Sequence, residues 1–212
     1  GGSDLLGCLH DRVFTTERVV SLAGLEELTG ISPAGDGSLR IGAMTPVAAV
    51  ADHPEVRKRW AALADAAAQV GSPQLRNQGT LGGNLCQKPR CWYYRGEFDC
   101  LRKGGDMCYA FAGENRYHCI FGGDACYIVH PSDTAPALIA LGAVVRVAGP
   151  SSSRSIAVET LHVAPSEDPR REVALAADEI LTDVVLPAPP PGQTLIAPPD
   201  GRCLIKGAAV PS

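Results

Sequence analysis

The chain has 212 residues, 45% of them hydrophobic and 20% charged, with a formal net charge of −4. That length builds one substantial core, or a domain and a fragment of another. The acidic balance excludes the basic face that nucleic-acid binding needs, and no apolar run of about 18 residues offers a membrane span.

The first residues, Gly1-Gly2-Ser3-Asp4-Leu5-Leu6, read as a tight turn feeding a short helix. No Met, basic segment or apolar stretch of a signal peptide precedes them. Because the chain opens inside a glycine loop, a preceding segment is expected. Arg18 to Leu22 reads as a strand. Leu39 to Ala43 alternates after the Gly35-Asp36-Gly37 turn, which predicts a hairpin with Leu28 to Ile31. Residues 45–70 read as helical. Pro54-Glu55 after a capping Asp52 marks a helix start, and Val56, Trp60, Leu63, Ala67 and Val70 fall on one face.

Residues 74–85, QLRNQGTLGGNL, are polar and glycine-rich. Residues 86–126 hold no sustained period, so this excursion cannot bury a core by itself and needs a staple. Order returns with a helix from Thr134 to about Leu141, then strands at 143–147, 155–158 and 179–187. Hairpins and helices without a regular βαβ rhythm predict an α+β fold with a mixed sheet and flanking helices. Proline-rich sequence after Pro187 reads as a linker, so residues 188–212 are expected to be that linker and the truncated start of a further domain.

Of eight cysteines, five (Cys91, Cys100, Cys108, Cys119 and Cys126) fall between positions 91 and 126. Clustering of this kind favours a metal or cluster site, while the even count stays compatible with disulfides. A zinc-stapled, non-enzymatic interaction module is a second reading, although the CxxC pairs usual for zinc are missing. His118 and His130 are either further ligands or polar loop residues satisfied by backbone. No Ser/His/Asp or paired-carboxylate arrangement argues for hydrolysis, and no general acid or base is assigned.

Two glycine loops stand out: Gly1-Gly2-Ser3-Asp4-Leu5 and Gly79-Thr80-Leu81-Gly82-Gly83-Asn84. Paired glycines allow close backbone approach and positive φ, and exposed N–H groups at a loop or helix start hold phosphate. Two such loops can cradle a pyrophosphate. The GxGxxG dinucleotide fingerprint is absent.

The succession GGSDLL, QLRNQGTLGGNL, HPSD and EILTDVVLP resembles the FAD-binding subunit of the xanthine dehydrogenase and carbon monoxide dehydrogenase (molybdenum hydroxylase) family, from Gly1 to about Pro187. The segments RCWYYRGEFDCLRKGG and GENRYHCIFGG resemble the subset with an inserted [4Fe–4S] cluster. The flavin subunits of periplasmic aldehyde oxidoreductase and 4-hydroxybenzoyl-CoA reductase belong to that subset. The resemblance implies an FAD-binding domain of the vanillyl-alcohol-oxidase-like (PCMH) type over 1–187, lacking its N-terminal portion, with the iron–sulfur insertion at 86–126.

It also implies site residues. Gly1, Gly2, Ser3 and Asp4 would contact the FAD pyrophosphate. Thr80, Leu81, Gly82, Gly83 and Asn84 would bind the nucleotide, Asp133 would contact FAD, and Leu181 would pack near the flavin. Lys206 is the least regular match. Cys91, Cys100, Cys108 and Cys126 would hold the cluster. Cys119 is then spare, because cluster-bearing relatives tend to have a small apolar residue there; the alternative set exchanges Cys126 for Cys119. The implied role is electron transfer, from [2Fe–2S] clusters of a partner subunit beside a molybdenum-cofactor subunit, through FAD, to an external acceptor. The expected location is cytoplasmic, or periplasmic if exported with a partner.

Overall fold

A computed structural model describes residues 2–190 of the chain. Among them, five strands form one sheet: β1 (Ile31–Pro33), β2 (Leu39–Gly42), β3 (Val144–Ala148), β4 (Ser153–Ala157) and β5 (Ile180–Leu186). Their spatial order is β1-β2-β5-β3-β4, and every pairing is antiparallel. The expected α+β class holds, while the expected mixed sheet gives way to an antiparallel one. Hairpins β1–β2 and β3–β4 form the two sides, and β5 returns between them against both neighbours. Its central position suits its sequence, since Leu181, Val184 and Leu186 are all buried. A register shift at Arg146/Val147 re-aims the side chains of β3 against β5.

Helix α1 spans Ser3–His10, α2 Val47–Asp52, α3 Pro54–Arg59 and α4 Ala61–Ala68. The helical stretch expected over 45–70 is therefore three helices. Pro54 holds His53 in an extended conformation, with φ −68 and ψ 125. Trp60 breaks the chain again at φ −133, and its indole Nε1 donates to the Pro187 carbonyl at 3.0 Å. The stripe of Val56, Trp60, Leu63 and Ala67 is buried as its spacing requires. Asp52 pairs with Arg57 and does not cap α3.

Residues 18–22 form no strand, and Val19 and Val20 are exposed: β-branched sequence without a pairing partner stays irregular. Leu28 ends a 3-10 turn, so the hairpin partner of β2 starts at Ile31, opposite Ile41. Gly42 passes so close to Leu28 that a Cβ there would meet the Leu28 carbonyl oxygen at 2.3 Å.

The main core lies between the sheet and the helices, with Val50, Leu63, Leu138 and Val145 among its fully buried members. A second, smaller core joins Cys8 and Val13 to Tyr94 and Cys100. The cysteine-rich segment thus leans on the chain's own first helix, in line with its inability to form a core alone. Inside it, regular structure is limited to α7 (Trp92–Arg95) and two 3-10 turns at 101–103 and 109–111. Helices α5 (Pro73–Gln78), α6 (Leu81–Leu85) and α8 (Thr134–Ala140) frame the candidate site. No helix among the described residues is long and apolar enough to cross a membrane.

Candidate functional site

The first glycine loop ends on Gly2, whose φ of 86 admits glycine readily, and α1 starts at Ser3. The Leu6 N–H donates to the Gly2 carbonyl at 2.8 Å, which leaves the N–H groups of Ser3, Asp4 and Leu5 outside the helical ladder. The Asp4 carboxylate is committed inward. It accepts from the Lys88 backbone N–H at 2.7 Å and the Arg95 guanidinium at 2.8 Å, and it pairs with Arg90 at 3.2 Å. Asp4 therefore ties the loop to the cysteine-rich segment and has its backbone left for a ligand.

The second loop lies alongside the first: Ser3 Oγ is 3.8 Å from where a Cβ on Gly79 would sit. Its donors, however, are already used. Leu81 N–H donates to Thr45 O at 3.0 Å, Gly82 N–H to Ala43 O at 2.9 Å, and Gly83 N–H to the capping Thr80 Oγ1 at 3.2 Å. This corrects the expectation of exposed N–H groups here, because docking α6 on the residues after β2, together with the Thr80 cap, consumes them. Nor does either glycine have a left-handed φ. Gly82 is needed for close approach, since a Cβ would lie 2.8 Å from that of Ala43, whereas Gly83 is exposed.

Asn84 joins the second loop to the HPSD turn. Its Oδ1 accepts from Ser132 Oγ and Thr134 Oγ1, both at 2.7 Å, and from Thr134 N–H at 3.4 Å. A backbone N–H can only donate, so the oxygen side of the amide is fixed and Nδ2 remains as a donor. Ser132 caps α8 through the Ala135 N–H at 3.1 Å. Asp133 makes no capping bond and presents its carboxylate, with a pKa raised by partial loss of water around it. Leu181 sits in the sheet opposite Val147 and belongs to the main core. Gly1 and Lys206 lie outside the described residues.

A second locus lies in the cysteine-rich segment. Cys91, Cys100, Cys108 and Cys126 line one cavity, together with Tyr94, Arg102, Tyr109 and His118. Cys119 lines the adjoining groove instead, with Phe111, Ile120 and Tyr127. All seven described cysteines are free thiols, and Cys203 lies outside the described residues. Among the described residues no three His, Cys, Asp or Glu side chains converge as a single metal ion requires. A four-iron cluster asks for something else: each thiolate bonds a different iron, so the sulfurs stand apart around the cube. Four cysteines distributed about a cavity fit that demand. Burial pushes the Cys91 and Cys126 thiols up, the latter partly offset by the Arg102 guanidinium. His118 Nε2 lies 3.1 Å from Cys91 Sγ. Cys86 is outside this group; burial beside the main core raises its pKa to about 11.

The structure adds contacts that no sequence pattern announced. Arg102, its side chain 1% exposed, donates Nε to Glu172 at 2.9 Å and Nη2 to the Arg171 carbonyl at 2.8 Å. Its Nη1 serves the Pro169 carbonyl and faces Cys126 Sγ at 4.0 Å. Lys88 pairs with the same Glu172. His130 and His162 pack with ring centroids 4.0 Å apart. Ser132 N–H donates to His130 Nδ1 at 3.3 Å, and His162 Nε2 lies 3.1 Å from the Leu85 carbonyl. Burial, then His162 and Arg102, push His130 down to about 3, so its ring is neutral. Glu172, His130 and His162 lie far along the chain from their partners, and no local signal pointed to these contacts.

The FAD binding domain in molybdopterin dehydrogenase, as a family, matches residues 1–189. The aldehyde oxidoreductase FAD-binding subunit PaoB of Escherichia coli (strain K12) is 36% identical over 89% of this chain and 60% of its own length. The putative xanthine dehydrogenase FAD-binding subunit XdhB of the same organism is 41% identical over 41% of this chain and 30% of its own. Among solved structures, reconstituted CO dehydrogenase from Oligotropha carboxidovorans shares the fold. It matches with a TM-score of 0.63 and 23% identity, over 89% of this chain and 50% of that one. The chain thus spans about 60% of the length of the aldehyde oxidoreductase subunit. With that family matched over residues 1–189, the chain belongs to the FAD-binding domains of the molybdopterin dehydrogenases, whose members here are subunits of oxidoreductases.

Proposed function

We propose that this chain is the flavoprotein electron-transfer subunit of a molybdenum-containing hydroxylase or dehydrogenase, with FAD at the glycine loops and a [4Fe–4S] cluster at Cys91, Cys100, Cys108 and Cys126. The observation that carries the cluster is the placement of those four cysteines around one cavity while Cys119 faces the next groove. Family membership carries the flavin. Bound FAD and cluster would supply one- and two-electron chemistry between a [2Fe–2S] partner subunit, beside a molybdenum-cofactor subunit, and an external acceptor.

This chain's residues would bind and orient. The N–H groups of Ser3, Asp4 and Leu5, without a backbone partner among the described residues, stand at a helix start and would suit a pyrophosphate. Asn84 Nδ2 and the Asp133 carboxylate would offer a further donor and acceptor, at the second loop and the start of α8. Thr80, Leu81, Gly82 and Gly83 would serve as a rigid wall, since the N–H donors of the last three are spent, that of Gly83 on Thr80 Oγ1. Leu181 would support the wall from the core. Asp4, through Lys88 and Arg95, holds the flavin loop against the cluster segment, which fixes one site relative to the other. Residues 1–187 would form the flavin domain, with the cluster insertion at 86–126.

Iron, acid-labile sulfide and flavin content of cysteine variants in the full-length natural protein test this reading. Cys108→Ser should lose iron and sulfide, and Cys119→Ser should keep both. Loss in Cys119→Ser with retention in Cys126→Ser would transfer the fourth ligand to Cys119.

A further inference from the structure

We propose that Arg102 is a positioning residue for the cluster, holding Cys126 and raising the cluster's reduction potential, with Glu172 setting how strongly it does so. The proposal rests on the cluster reading above.

A guanidinium has five N–H donors in a rigid fork and cannot shed its charge. Arg102 is buried and nearly all of this fork is accounted for by Glu172 and by the carbonyls of Pro169 and Arg171. The remaining neighbour is Cys126 Sγ, 4.0 Å from Nη1, on the wall of the cavity that Arg102 itself helps to line. Two cations, Lys88 and Arg102, share the single carboxylate of Glu172. The group carries one positive charge in excess, and Arg102, its buried cation, is the member that lines the cavity. A cluster ligated by four thiolates is a net anion, and one-electron reduction adds a further negative charge. A fixed guanidinium therefore favours the reduced form more than the oxidised one, and hydrogen bonds to cluster sulfurs act in the same direction. Lys103 cannot substitute, because its Nζ is turned to the Gly96 carbonyl at 2.6 Å.

A structural staple for the 169–172 segment would use the same contacts but would not move a potential. Redox titration of the cluster, followed by electron paramagnetic resonance in the anaerobically purified full-length protein, separates the two. At the wild-type midpoint, Arg102→Met should lower the reduced-to-oxidised ratio about tenfold, a shift of about 59 mV for one electron. Arg102→Lys, which keeps the charge without the fork, should shift less. Glu172→Gln, which leaves Arg102 less neutralised, should shift the potential upward. If Arg102→Met fails to assemble the cluster, the sign of the Glu172→Gln shift decides alone. Cluster-loaded variants with wild-type potential, or a downward shift in Glu172→Gln, overturn the proposal and leave the cluster standing. A wild-type protein without iron and labile sulfide overturns both.

Discussion

The hydroxyl of Ser132 donates to the side-chain oxygen of Asn84 at 2.7 Å, 48 positions away in sequence. That bond, with its counterpart from Thr134, joins the second glycine loop to the start of α8. Replacing Asn84 by Ala strands two buried hydroxyls, at a cost of about 1–3 kcal/mol. Asn84→Asp keeps the acceptor and exchanges the free donor for an anion. Thermal unfolding should show a large loss for Ala and a smaller one for Asp, while flavin occupancy in the full-length protein should fall in both. Full occupancy in Asn84→Asp would remove Asn84 from the flavin site.

The two glycines of the second loop should behave differently. Gly82→Ala drives a methyl group against Ala43 and should destabilise by about 1–3 kcal/mol through overpacking. Gly83→Ala meets Thr80 Oγ1 at 3.0 Å on an exposed surface and should cost less. Denaturant midpoints compare them; equal losses would contradict the close approach of α6 to the sheet.

Much of this layout was legible because its signals are local. The helix after HPSD, the strand stopped by Pro187 and the buried stripe of Val56, Trp60, Leu63 and Ala67 each follow from neighbouring residues. The segregation of cysteines in an aperiodic segment pointed to the cavity for the same reason. What failed depends on partners far along the chain. Arg18 to Leu22 has strand composition but nothing to pair with. The antiparallel sheet follows from β5 entering between β2 and β3, which no local pattern announces. The Arg102–Glu172 pair joins positions 70 apart, and the spent donors of Leu81 and Gly82 depend on where α6 docks.

Stability should fall in mild acid in a way traceable to His130. Its folded pKa of about 3 lies below the ordinary 6.5, so the unfolded chain binds a proton first. The contribution is complete above 6.5 and is lost as pH falls from 6.5 towards 3. His118 and His162 are shifted in the same direction and add to it. His130→Gln should flatten the melting temperature against pH across that window; an unchanged slope would place the acid sensitivity elsewhere.

Glu172 balances two cations, so Glu172→Ala should destabilise by about 3–5 kcal/mol, the cost of leaving buried charge unpaired. Glu172→Gln, which retains hydrogen bonding, should cost less. Chemical denaturation of the two variants gives the comparison. Wild-type stability in Glu172→Ala would mean that water already neutralises the pair.

The most direct measurement is the flavin, iron and acid-labile sulfide content of the full-length natural protein purified without oxygen. An FAD-binding subunit with one cluster at Cys91, Cys100, Cys108 and Cys126 requires about one flavin, four irons and four sulfides per chain. Iron without labile sulfide, zinc in place of iron, or a protein that carries neither flavin nor cluster would contradict it.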